Sequence, residues 1–140
     1  MPFQFSDHTA DIAVTLTAPT REGLFAAACE AFCQAITDPE RVAAAEPRAV
    51  ELQAADIETL LVDWLSELIY CFDAHRWLAR AAQVTVTTDR EQLSLHGTAL
   101  GEPFNPDRHR IKVLIKAATY HGLTVKQTSE GWTATVVFDI

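Results

Sequence analysis

The chain has 140 residues, with 49% hydrophobic and 21% charged side chains, the balance of one packed globular domain and not of a disordered segment. Eleven basic against nineteen acidic residues leave a net charge of −8, which argues against autonomous binding to a phosphate backbone, because that needs clustered Lys and Arg. Three cysteines without a CxxC pair, no apolar run of about 18 residues and no leader-like start predict a soluble cytoplasmic protein that needs no disulfide and enters no membrane.

Residues 11–17 alternate, with Ile12, Val14 and Leu16 on one face, and predict a half-buried strand. Pro19-Thr20 offers a turn and an N-cap for a helix from Arg21 to Ile36, whose stripe is Phe25, Cys29, Phe32 and Ile36, and Asp38-Pro39 ends it. Pro39 to Pro47 reads as a loop, followed by a short strand around Ala49–Leu52. Asp56 caps a second helix carrying Leu60, Leu61, Trp64, Leu65, Leu68 and Phe72 on a wide apolar face. Period two then takes over in Val84/Val86, Leu93/Leu95, Ile111/Val113/Ile115, Leu123/Val125 and Trp132 to Ile140. Turn residues at Thr88–Arg90, Gly101–Pro103, Tyr120–Gly122 and Ser129–Gly131 separate these runs. The expected class is α+β, two helices packed on a largely antiparallel sheet. Trp64 and Trp132 fall at core positions, and Trp77 is expected to cover the sheet edge.

Walker, GxGxxG, HExxH and GxSxG signatures are missing from the sequence. Cys29 and Cys33 stand one helical turn apart, but Cys29 belongs to the apolar stripe, so both read as structural, as does Cys71. Chemistry gathers in three places. Asp7, His8, Thr9 and Asp11 crowd the approach to a strand, although such a turn is often only backbone capping. The final strand carries Asp139 beside Ile140 and its terminal carboxylate. If the first strand pairs with the last, Asp11 and Asp139 converge, and such an oxygen cluster calls for a hard cation, Ca²⁺, Mg²⁺ or Mn²⁺, not zinc. The third place is Lys116 with Tyr120 and His121, donors that suit a phosphate or a partner carboxylate unless they merely snorkel at a sheet edge. Residues 108–129 hold Arg108, Arg110, Lys112, Lys116 and Lys126 and no acid, leaving six basic and nineteen acidic residues elsewhere, a net of −13. A solvated sheet face would also explain that stretch.

Five landmarks in order, Asp7-His8-Thr9-Ala10-Asp11-Ile12, Leu60 to Leu68, Gly101-Glu102-Pro103-Phe104, Lys116 to Gly122 and Phe138-Asp139-Ile140, together resemble the archease family. Ser66, Asn105 and Asp107 depart from its pattern, outside the ligand positions. The resemblance implies an accessory protein, not an enzyme. Its partner would be the GTP-dependent tRNA-splicing RNA ligase, whose histidine guanylylation and multiple turnover it promotes, with RNA reached only through the ligase. It also implies Asp11, Asp139 and Ile140 as metal ligands, with Ca²⁺ foremost, and Lys116 as a residue important for activation. Two rival readings are a general chaperone of RNA-modifying enzymes that docks through the basic stretch, and a stand-alone metal-dependent phosphohydrolase using Asp11 with His8 or His121.

Overall fold

A computed structural model describes residues 2–7 and 11–140, residues 6 and 7 through their backbone. The described elements, in chain order, are β1 (Phe3–Asp7), β2 (Asp11–Ala18), α1 (Arg21–Ile36), β3 (Glu46–Ala54), α2 (Ile57–His75), β4 (Trp77–Asp89), β5 (Gln92–Pro103), β6 (Ala117–Thr128) and β7 (Gly131–Asp139). A 3-10 turn at Pro39–Arg41 separates α1 from β3. Every pairing is antiparallel, but the strands divide into two sheets, ordered β1-β2-β7-β6 and β3-β5-β4. The α+β class holds, with two sheets where the periodicity suggested one. No helix of the described residues is long and apolar enough to cross a membrane.

Both helices start where their caps predict. The Thr20 hydroxyl accepts from Gly23 N at 3.1 Å, and the Asp56 carboxylate accepts from Thr59 N at 2.7 Å. α1 touches β2 and β7 on one side and β4 on another, while α2 meets β6 and the strands of the second sheet, so the two helices lie between the sheets. That position explains why burial in α1 extends beyond one stripe, through Ala27, Ala28, Ala31 and Ala35 as well as Phe25 and Phe32. Small side chains let neighbours approach closely on several sides. The Trp64 indole N–H donates to the Phe25 carbonyl at 2.9 Å and fixes α2 against α1.

α1 also covers the free edge of β4. Arg21 donates to the Val86 carbonyl at 3.0 Å, Val86 N–H donates to the Glu22 carboxylate at 3.3 Å, and Arg80 donates to the Pro39 carbonyl at 2.9 Å. The N–H and carbonyl of Val86, which would otherwise offer a pairing edge, are thereby used.

Several expectations need correction. β1 was not foreseen; its five residues show only Phe3 and Phe5 as apolar period-two positions. β3 begins at Glu46 and includes Pro47, which an edge strand tolerates. Gly101–Pro103 is not a turn but the end of β5, paired with Ala79, Leu78 and Trp77. Tyr120–Gly122 is not a turn either. It is a bulge inside β6, where five steps from Thr119 to Thr124 oppose two on β7 and Gly122 takes φ +66°. Trp77 is buried and donates to the Glu46 carboxylate at 3.3 Å, with the Arg48 guanidinium over its ring, so it is no edge cover.

Residues 111–115, despite clean alternation, join no sheet. Lys112 N–H donates to the Ile36 carbonyl at 2.7 Å, and the Thr37 hydroxyl donates to the Arg110 carbonyl at 2.7 Å. The segment thus closes the carbonyl end of α1 instead of extending a ladder.

Candidate functional site

β2 and β7 pair along their whole length, and their register sets Asp11 directly opposite Asp139. The next pair, Ile12 and Phe138, shows which way the pleat points, because Phe138 is fully buried in the core. Asp11 and Asp139 therefore share the other face at the end of the four-stranded sheet. Opposed residues of an antiparallel pair hold their Cβ atoms about 5 Å apart, where two like charges destabilise the ladder. One Asp11 carboxylate oxygen is shielded from solvent, whereas Asp139 is exposed.

β6 brings in the third component. Ala117 is the register partner of Asp139 on the far side of β7, and Lys116 N–H donates to the Asp139 carbonyl at 2.8 Å. The Lys116 side chain is exposed, and Ile140 follows Asp139 while packing partly onto the core. Asp11, Asp139, Lys116 and Ile140 therefore lie at one sheet end; the pairing of β2 with β7, on which the expected convergence of Asp11 and Asp139 depends, is present. Exposed Tyr120 and His121 sit in the β6 bulge, beside the Thr119–Val137 pair two residues along β7. The Asp7 backbone closes β1 opposite Ile12, its side chain lying outside the description, and His8 lies outside the described residues.

The donors on this face are oxygens. Two opposed carboxylates are hard oxygen donors of the kind that Ca²⁺ or Mg²⁺ takes. Among the described residues, no group of three or more His, Cys, Asp or Glu side chains converges for a metal. The cysteines stay apart from this chemistry. All three are buried; desolvation pushes the Cys33 thiol up to about 11, and those of Cys29 and Cys71 upward as well. These thiols remain protonated at neutral pH.

Sequence reasoning missed a second polar cluster. The buried Glu102 carboxylate accepts from Ala43 N at 2.7 Å, from His109 Nε2 at 2.9 Å and from the Arg108 guanidinium. Asn105 N–H donates to His109 Nδ1 at 2.9 Å, which fixes the ring tautomer with its proton on Nε2, directed at Glu102. Phe104 stacks on His109 at 5.9 Å and meets Phe72 edge-on at 5.6 Å. The cluster fastens the loop that leads into the Lys116 segment. Nothing periodic marks it, since Glu102 near the end of β5 and His109 in the irregular stretch beyond stand seven residues apart; the GEPF landmark was the available clue.

Burial raises the Glu102 carboxyl, and the donors from Ala43, His109 and Arg108 more than offset it, holding the group below its ordinary range. A carboxylate depressed in the folded state adds stability above its unfolded pKa, roughly 4.3, and that stability is lost as pH falls through the folded value. Thermal melts from pH 7 to pH 3 should show a steep acid limb that Glu102→Gln flattens. Glu102→Ala, which strands a buried imidazole and an amide, is expected to cost about 3 kcal/mol in urea unfolding.

Comparison with known proteins adds four findings. A family model described as the "Archease protein family (MTH1598/TM1083)" matches residues 3–140. A Methanosarcina mazei protein named "Protein archease" is 38% identical over 139 residues, covering 99% of this chain and 95% of that one. The protein of the same name from Methanopyrus kandleri is 34% identical over 140 residues, covering 100% of both. The solution structure of Methanobacterium thermoautotrophicum protein 1598 superposes with a TM-score of 0.82 at 32% identity over 99% of each chain.

Proposed function

The chain belongs to the archease family, and from that premise we propose that it is a non-catalytic accessory protein of RNA end joining. It activates the cytoplasmic GTP-dependent tRNA-splicing RNA ligase by promoting guanylylation of the ligase histidine and sustaining multiple turnover. The observation that carries this reading is the register placing Asp11 against Asp139, with Lys116 hydrogen-bonded through its main chain to the latter.

Asp11, Asp139 and the main-chain oxygens of Ile140 would hold a divalent cation, Ca²⁺ foremost and Mg²⁺ or Mn²⁺ otherwise. When bound, the ion supplies positive charge to offset the triphosphate during guanylyl transfer. The protein's own residues do the rest. The two carboxylates gain a counter-charge that relieves their mutual repulsion. Lys116, exposed beside them, presents a mobile ammonium that can grip a phosphate oxygen of the ligase-bound nucleotide. Tyr120 and His121 line the same approach and contact the ligase around it, with Asp7 and His8 as further contacts. RNA is engaged through the ligase, consistent with a chain whose net charge is −8.

Guanylylation of the purified cognate ligase, followed with labelled GTP across Ca²⁺, Mg²⁺ and Mn²⁺, tests the proposal. The rate should rise when the protein is added and should depend on the divalent ion. A ligase whose rate is the same with and without the protein would overturn it, and phosphate release by the protein alone would favour the hydrolase reading.

A further inference from the structure

Between the Glu102 cluster and β6 runs a segment that no sheet claims. Residues 111–116 are neither helical nor laddered, yet exposure alternates along them: Ile115 is buried and Ile111 and Val113 are half-buried, while Leu114 and Lys116 face outward, as does Arg110 just before them; the Lys112 ammonium instead turns back to the Gln34 carbonyl at 3.1 Å and the Asp38 carboxylate at 3.4 Å. Leu114 is 61% exposed, high for a leucine, and stands between two lysines. The main chain is used on one side only. Lys112 N–H goes to Ile36, Lys116 N–H to Asp139, and the Arg110 carbonyl to Thr37. Among the described residues, no main-chain acceptor meets the N–H groups of Ile111, Val113 or Ile115.

A segment fastened along one side, with no main-chain acceptor among the described residues on the other and with Arg110 and Leu114 facing outward, has the features of a strand-addition site. We infer that residues 110–115 dock an extended segment of the partner, acidic at the position facing Arg110 and apolar at the one facing Leu114. This rests on the reading of the chain as a ligase activator and adds to it a binding surface separate in role from the acidic pair. Charge complementarity selects an acidic peptide, because Arg110 is exposed within a stretch, residues 108–129, that holds five basic residues and no acid, and an exposed leucine beside it offers RNA no match.

Two measurements on the full chain decide the matter. In the first, Leu114→Asp and, separately, Arg110→Glu are titrated into the cognate ligase by calorimetry. Leu114→Asp should weaken Kd at least tenfold and Arg110→Glu severalfold, while activation at saturating protein stays at the wild-type level. Both side chains point into solvent, so the variants should melt with the wild type. In the second, amide spectra are recorded with the peptide Thr-Thr-Leu-Thr-Thr-Thr-Glu, which sets Leu and Glu against Leu114 and Arg110 when antiparallel. Saturable shifts confined to 110–115, with slowed exchange at Ile111, Val113 and Ile115, are expected. A Kd within twofold of wild type for Leu114→Asp overturns the inference, as do peptide shifts that are absent or map to the Asp11–Asp139 end, or a single-stranded RNA that shifts these amides instead. A wild-type protein that neither binds nor activates the ligase refutes the functional reading, and the peptide spectra then decide the docking surface independently.

Discussion

Replacing Asp11 and Asp139 together by alanine is expected to abolish ligase activation and leave the protein folded. The two residues oppose each other at the end of the β2–β7 ladder, and removing both carboxylates leaves no hydrophobic cavity. Calcium should separate the two proteins further. A ligand that binds only the folded state stabilises it by about 2.7 kcal/mol at a hundredfold excess over Kd, which for a chain of this size raises Tm by roughly 10 °C. Wild type should show that rise and the double variant should not. The single replacements Asp11→Asn and Asp139→Asn, which keep shape while halving the charge, should lose most activation and most of the calcium-dependent shift. Activation that survives in the double variant would sink the assignment of this sheet end as the working part of the molecule.

Gly101→Ala is expected to be the most damaging conservative change in the chain. A Cβ on Gly101 would lie 1.9 Å from the Leu78 carbonyl oxygen and 2.8 Å from its carbonyl carbon, and both belong to backbone that cannot rotate away. The close approach occurs where β4 slips register between Ala79 and Ala81, so moving Leu78 would disturb the bulge that aims Arg80 at Pro39. Next door, Glu102 would be displaced from Ala43 and His109. A loss of about 3 kcal/mol or more in urea unfolding is expected, and incomplete folding at 37 °C with it. Gly122→Ala supplies the contrast. That residue also departs from ordinary backbone, at φ +66°, but its nearest atom to an added Cβ is a Val137 methyl at 3.9 Å. The cost there should be the left-handed conformation alone, about 1 kcal/mol. Similar losses at the two sites would contradict the packing argument.

What could be read from the residues divides along physical lines. Local signals carried α1 and α2 well, because Thr20 and Asp56 are caps whose side chains bond within a turn, and the apolar spacing of Leu60 to Phe72 belongs to one element. The meeting of Asp11 and Asp139 was also legible, since alternation fixes which face each occupies and a single pairing assumption joins them. Gly101–Pro103 and Tyr120–Gly122 misled because bulges, close approaches and turns recruit the same residues; a glycine reports that its neighbour is near or its φ unusual, not which. Ile111, Val113 and Ile115 alternate as any strand does, yet ladder membership depends on a neighbour's free edge, and here the C-terminus of α1 takes the main-chain bonds instead. The Glu102–His109 contact needs tertiary closure of a loop, for which no spacing rule exists. The division into two sheets escaped for a related reason: period two shows that strands exist, not how they are shared out.

The β6–β7 hairpin turn at Ser129 and Glu130 stands at the far pole of the four-stranded sheet from Asp139. Eight steps of strand separate Gly131 from Asp139, a span of ~26 Å. A fluorophore, surface tether or fusion joined at that hairpin would leave the opposite pole unencumbered, so an immobilised molecule could present its acidic end to a ligase in solution.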